Sequence, residues 1–144
     1  MNKIKLRKNL KKHNFPVPNF TSLDKDTYIH KSLFPAVVKP SSGSGSKGVF
    51  YSKDISQFKK FFNKNKLFYK NKKILIEKYI PGVEYAVEGW VDKDLKFKIG
   101  ALSKKQRSKL PFLFDESLII NFKNIKLRNI IIKYIERLVK SLKL

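Results

Sequence analysis

Phe34-Pro35-Ala36-Val37-Val38-Lys39-Pro40-Ser41-Ser42-Gly43-Ser44-Gly45-Ser46-Lys47-Gly48-Val49 decides how this chain is read. A short apolar run ends in Lys39, a loop of small residues follows, and a second apolar run begins at Val49. Glycines let a backbone turn through positive φ and approach a ligand closely. Successive N–H groups in such a turn form a concavity that suits an anion. Ser41, Ser42, Ser44 and Ser46 add hydroxyl donors, and Lys39 and Lys47 bring positive charge to the two ends.

The loop departs from the commonest phosphate-binding patterns. It lacks the four-residue spacer and Gly-Lys-Ser/Thr ending of a Walker loop. Gly43-Ser44-Gly45-Ser46-Lys47-Gly48 does fit Gly-x-Gly-x-x-Gly, but the dinucleotide version opens directly into a helix. Here Val49-Phe50-Tyr51 reads as a strand. Strand, glycine-rich loop, strand is the hairpin that covers ATP in kinases and some ligases. A flexible surface hairpin is the alternative reading of the loop by itself.

Working outward, residues 3–14 read as a helix stopped by Pro16 and Pro18. Thr21 to His30 is polar and turn-like. Ala36–Lys39 and Gly48–Tyr51 are the strands that flank the loop. Asp54 caps a helix from Ile55 to about Asn65, with Ile55, Phe58, Phe61 and Phe62 on its apolar face. Lys73–Ile80 is a strand and Pro81-Gly82 a turn. Val83–Val91 alternates, Asp92-Lys93-Asp94 turns, and Leu95–Leu102 returns as the partner strand. Ser103–Pro111 reads as polar and mobile. Ile125 to Leu142 reads as an amphipathic helix with Ile131, Ile135, Leu138 and Leu142 along one face.

Composition narrows the classes. The chain has 144 residues, 42% hydrophobic with 12 phenylalanines, enough for a folded core. It has no cysteine, so disulfides and thiolate metal sites are excluded. His13 and His30 are far apart and do not suggest a triad or a zinc site. No apolar stretch is long enough to span a membrane, and no apolar h-region follows the basic start. A cytoplasmic location is the default expectation. The net charge of +22 invites a nucleic-acid reading. Yet only four of 33 basic residues are arginine, and the lysines are spread along the chain. Arginine is the residue suited to bidentate recognition of bases and phosphates. Lys, Asn, Ile and Phe are abundant together, as an A/T-rich genome would produce. Nucleic acid is therefore not the expected partner.

A second stretch carries chemistry. In Ile74-Leu75-Ile76-Glu77-Lys78-Tyr79-Ile80-Pro81-Gly82-Val83-Glu84 an apolar strand ends in a carboxylate, an aromatic and a proline turn, and a further carboxylate follows. A purine needs an apolar slot with backbone groups at one edge, and a ribose needs acceptors for its hydroxyls. A strand running into a hinge can supply both.

With Lys3-Ile4-Lys5-Leu6-Arg7-Lys8-Asn9-Leu10 and Phe15-Pro16-Val17-Pro18 ahead of these two stretches, the chain resembles the ATP-grasp superfamily. A helix with a lysine and, four residues on, an arginine leads to a Pro-x-Pro exit. The strand with its glycine-rich flap and the Glu77 hinge then follow in family order. The resemblance covers most of residues 1–122. It implies an α+β fold: a small antiparallel flap sheet with a helix, plus the start of a larger α+β subdomain. It divides the chain into a first helix and connector (1–31), a flap subdomain (32–82) and the larger subdomain (83–144). It implies that Lys3 and Lys39 reach the phosphates and that Ser42, Gly43, Ser44, Gly45, Ser46 and Gly48 cover them. Glu77 would accept from the adenine amino group, the backbone at Lys78 and Ile80 would read the adenine edge, and Tyr79 would lie in the hinge. Glu84 would hold the ribose hydroxyls, and Arg107 is a looser candidate on the substrate side.

The cofactor implied is ATP. The partner substrate is an unidentified carboxylate, activated as an acyl phosphate and then attacked by a nucleophile. Family members end in a strand bearing Glu-x-Asn that holds magnesium, and no Glu-x-Asn occurs in this sequence. The resemblance therefore implies the central portion of a longer ATP-dependent ligase, truncated or completed by a second chain. By itself it would bind nucleotide without turnover, because phosphoryl transfer relies on metal ions to neutralise charge. The alternatives are a basic nucleic-acid-binding module and a degenerate, non-catalytic relative.

Overall fold

A computed structural model describes residues 2–23, 28–43, 45–107, 114–119 and 125–142. The chain separates into two units, with the division between Pro81 and Gly82.

The first unit opens with α1 (Lys3–Lys12), whose N-cap Asn2 accepts from the Ile4 and Lys5 amides. A four-stranded antiparallel sheet follows, in the order β1-β4-β2-β3. Its strands are β1 (Phe20–Leu23), β2 (Ala36–Pro40), β3 (Phe50–Ser52) and β4 (Ile74–Lys78). Between β3 and β4 lie α2 (Ile55–Lys64) and a single turn of helix, α3 (Lys66–Tyr69). Strand alternation sends Ala36 and Val38 of β2 and Ile74 and Ile76 of β4 into one core with Phe50, Phe58 and Tyr69. Phe58 and Phe61 of α2 lie over Phe50, with ring centroids 6.3 and 3.8 Å away. Burying such rings is the largest apolar contribution available to a unit this small.

The second unit is a three-stranded antiparallel sheet, β5 (Glu84–Val91), β6 (Phe97–Arg107) and β7 (Phe114–Ile119), followed by α4 (Ile125–Leu142). The β5–β6 connection turns over Asp92–Lys96, where the Leu95 amide donates to the Asp92 carbonyl at 3.0 Å. The helix is tied to the sheet by Glu136, whose Oε1 accepts from the Phe97 amide at 3.3 Å. Ile131, Ile135, Leu138 and Leu142 are half-buried along the expected face.

The α+β expectation holds, and the two helices α2 and α4 lie where their apolar spacing puts them. Three local readings change. Thr21–Leu23 is strand rather than turn, because β1 pairs with β4 in the register Phe20↔Glu77 to Leu23↔Ile74. Leu95 sits in the hairpin turn at φ 58, so the return strand starts at Phe97. Ser103–Arg107 continues β6 instead of forming a mobile loop, because it is paired with β5 on one side and β7 on the other. Residues 108–111 of that expected loop lie outside the described residues. No helix among the described residues is long and apolar enough to cross a membrane.

Candidate functional site

The chemistry of the first unit gathers around one carboxylate. In β4, Ile74 and Ile76 face the aromatic core, so Leu75 and Glu77 face the opposite side of the sheet. Glu77 is only 3% exposed. Its Oε1 accepts from Arg7 Nε of α1 and its Oε2 from Lys39 Nζ of β2. Taking a carboxylate out of water costs several kcal/mol unless it is paired and hydrogen-bonded. Burial pushes the Glu77 carboxyl up, but hydrogen bonds from Arg7 and then Lys39, with both positive charges, outweigh it and hold the group below the ordinary glutamate range. Glu77 is therefore a carboxylate at neutral pH, and acceptor-only.

Lys3 and Arg7 are four residues apart and so share one face of α1. While Arg7 reaches Glu77, Lys3 reaches the loop between β2 and β3. Its amide donates to the Ser41 carbonyl at 2.7 Å and its Nζ to the Gly43 carbonyl at 2.8 Å. Ser41 is buried, and its own amide donates to the Lys73 carbonyl at 2.8 Å. Beyond it the chain turns through positive φ at Gly43, Gly45, Ser46 and Gly48. A cavity of about 190 Å³ lies between Lys3 and the loop residues Ser42, Gly43, Gly45 and Ser46. At the far end the Tyr69 hydroxyl donates to the Gly48 carbonyl at 2.8 Å. Ser44 lies outside the described residues. The loop joins two antiparallel strands, as its sequence predicts, with Val38 opposite Phe50.

The hinge after β4 is tied back to the same unit. The Lys78 amide donates to the Asn19 carbonyl at 2.8 Å, and its Nζ donates to the carbonyls of Ser32 and Phe34 at 2.8 and 3.1 Å. The Tyr79 amide donates to the Pro35 carbonyl at 2.8 Å, and its ring meets Tyr51 edge-on at 5.2 Å. Ile80 is exposed.

The structure thus joins Lys3 to Gly43 and Lys39 to Glu77. It gives Lys39 a carboxylate partner where phosphate contact was expected, and it commits the Lys78 amide to Asn19. Glu84 begins β5 in the second unit, opposite Lys105. Arg107 ends β6. Arg7 was visible only as the second half of a lysine–arginine spacing, and nothing local announced that it would meet a residue 70 positions away. Phe68 and Tyr69 had no signal at all. Among the described residues no three His, Cys, Asp or Glu side chains stand together as a metal ion would need.

The sequence pattern of the ATP-grasp domain matches residues 32–144, and the chain belongs to that family. Solved structures of the same fold include an L-amino acid ligase from Bacillus licheniformis, 22% identical with a TM-score of 0.71. They also include a D-alanine–D-alanine ligase from Bacillus anthracis complexed with ATP, 24% identical with a TM-score of 0.72. An ADP complex of N5-carboxyaminoimidazole ribonucleotide synthetase is 19% identical with a TM-score of 0.71. These alignments cover 98%, 99% and 99% of this chain but 36%, 46% and 38% of those proteins. The chain therefore spans less than half the length of each. No curated protein sequence matches it.

Proposed function

We propose that this chain binds ATP as part of a carboxylate-activating ligase. The observation that carries the proposal is the loop between β2 and β3, held by Lys3 at the mouth of a cavity lined by its own glycines and serines. A triphosphate needs cations and N–H donors that converge without carboxylate competition. Lys3 and the backbone of Ser42, Gly43, Gly45, Ser46 and Gly48 offer that set. Lys39 is a further cation on the adjoining strand, shared with Glu77. Glu77, held anionic, accepts from an exocyclic amino group such as that of adenine. The backbone beyond it, at Ile80, reads the ring edge beside Tyr79. Glu84 is assigned the ribose hydroxyls on the family resemblance alone. The reaction is transfer of the γ-phosphoryl group to a carboxylate, followed by attack of a nucleophile on the acyl phosphate. The B. anthracis ligase solved with ATP supports the nucleotide, at the level of fold.

Calorimetric titration with ATP tests the reading. Saturable binding is expected, weakened about tenfold or more by Lys3→Ala or Lys39→Ala, since each removes a charged hydrogen bond worth roughly 1.5–3 kcal/mol. The exposed Lys12→Ala is the control and leaves affinity unchanged. Absence of saturable binding, or equal losses in all three variants, would overturn the proposal. Salt separates the nucleic-acid rival, whose affinity falls steeply as counterions are released.

A further inference from the structure

The loop from Ser41 to Val49 is fastened at its two ends by different means. Its start is held by α1, through Lys3. Its end is held by α3, an element with no part in the nucleotide reading. There the Tyr69 hydroxyl donates to the Gly48 carbonyl at 2.8 Å. The Phe68 ring lies against the Gly48 Cα, and a methyl group on that atom would stand 2.7 Å from Phe68 Cζ. Gly48 also has φ 73, an angle that favours glycine, and any side chain there would have to push the Phe68 ring aside.

The two aromatic residues are themselves well supported. Tyr69 is 4% exposed, and its ring packs on Phe62 and Phe50 at 5.4 and 6.5 Å. A buried tyrosine directs its hydroxyl to a partner, and here the partner is the loop. Phe68 meets Tyr69 edge-on at 4.9 Å, and Lys72 Nζ stands 3.4 Å from the Phe68 ring centroid. The ring stays 40% exposed, outside the core cluster, with its loop contact at Gly48. Between the two fastenings the loop is open: side chains added at Gly43 or Gly45 would meet nothing within 4 Å.

We infer that Phe68 and Tyr69 are positioning residues for the glycine-rich loop, fixing its exit and so setting where the amides of Gly45 to Lys47 stand over a bound phosphate. The ligand in this inference rests on the ATP-binding reading; the clamp itself does not. A loop pinned at both ends has less conformational freedom to lose when it closes on a ligand. Releasing one end makes the ligand reorder it.

Tyr69→Phe keeps the ring in its stack and removes only the donor. In the full chain labelled with 15N-glycine, three of the six glycines (Gly43, Gly45 and Gly48) report on the loop, and Gly82, Gly89 and Gly100 are internal controls. The expected result is that the loop glycine resonances shift and their order parameters fall toward the flexible range, below about 0.6, while the controls stay still. ATP affinity should weaken about fivefold, with the melting temperature lowered by only the few degrees that one hydrogen bond accounts for. Phe68→Ala removes a partly exposed ring and should give the same glycine signature, which keeps the test open if Tyr69→Phe unfolds the chain. Loop glycines unchanged in both variants would overturn the inference. So would a loosened loop with undiminished ATP affinity. If the unsubstituted chain takes up no ATP, the nucleotide reading fails, and the glycine spectra still decide the clamp.

Discussion

The two units of this chain bury their apolar side chains very differently. In the first, Ala36, Val38, Leu75 and Ile76 are fully inaccessible, and a ring cluster closes over the sheet. In the second, the buried hydrophobic side chains among the described residues are Leu102 and Val139. Trp90 there is 60% exposed, and Val83, Tyr85, Leu95 and Ile130 are also exposed. Hydrophobic burial is the main favourable contribution to folding, at about 25 cal/mol per Å². The first unit draws on it directly. The second leans on backbone pairing along β5, β6 and β7, which contributes only about 1 kcal/mol net per hydrogen bond. The groups we propose for the phosphates, Lys3, Lys39 and the β2–β3 loop, all sit on the better-packed unit.

The sharpest way to break this contrast is a pair of isoleucine truncations. Ile76→Ala removes a fully buried side chain beneath the site and should cost about 3–5 kcal/mol in urea unfolding. Ile130→Ala, on a residue 57% exposed, should change stability by less than about 0.5 kcal/mol. Comparable losses from the two would mean that α4 packs its outer face as tightly as the first unit packs its core.

The next effect is electrostatic and depends on pH. Glu77 has a lower pKa folded than unfolded, because Arg7 and Lys39 together outweigh its burial. Its contribution is therefore complete above the ordinary glutamate value of about 4.5 and is lost as pH falls through the lower, folded value. Urea midpoints of the wild-type chain should drop as the solution is acidified from pH 5 to pH 3. Glu77→Gln should flatten that part of the curve and cost about 2–3 kcal/mol at pH 7, since it leaves two part-buried cations without their counter-charge. A variant whose acid profile matches wild type would show that other carboxylates govern acid unfolding and that the bridge between α1, β2 and β4 is weak.

How much of this was legible in the sequence follows from the range of the interactions. The hairpin around Gly43–Gly48 was readable because apolar runs flank it and Val49-Phe50-Tyr51 cannot open a helix in that pattern. The helix from Ile55 was readable because Asp54 caps it and Phe58, Phe61 and Phe62 repeat at helical spacing. β1 was not: Phe20-Thr21-Ser22-Leu23 is short and half polar, and it becomes a strand only by pairing with β4, over 50 residues away. Strand preference of that kind is set by context. The lysine-rich end of β6 escaped because Ser103–Arg107 is polar throughout and becomes strand only through its pairing with β5 and β7. In the site, Lys39 and Glu77 stood out as residues whereas their mutual pairing did not. Charge–charge contacts between strands depend on a register that composition does not encode.

The smallest expected effect compares one aspartate from each unit. Asp54 caps α2, its carboxylate accepting from the Gln57 amide at 2.8 Å, while Gln57 Oε1 accepts from the Lys53 amide at 2.7 Å. Asp54→Ala should cost about 1 kcal/mol of global stability, because α2 carries Phe58 into the core and cannot fray without loosening it. Asp92 plays a similar part in the β5–β6 turn, accepting from the Lys96 amide at 2.8 Å and the Asp94 amide at 3.0 Å. The Lys96 amide, chiefly, holds its carboxyl below the usual aspartate range, with smaller help from Asp94 and Lys98 against slight desolvation. That turn lies on the surface, with Leu95 exposed beside it. Asp92→Ala should therefore leave the global midpoint alone and raise only the exchange rate of the Lys96 amide, as should acidification through the folded pKa of Asp92. A global loss from Asp92→Ala as large as that from Asp54→Ala would mean that the second unit unfolds cooperatively with the first, and the difference in their cores would no longer divide the molecule.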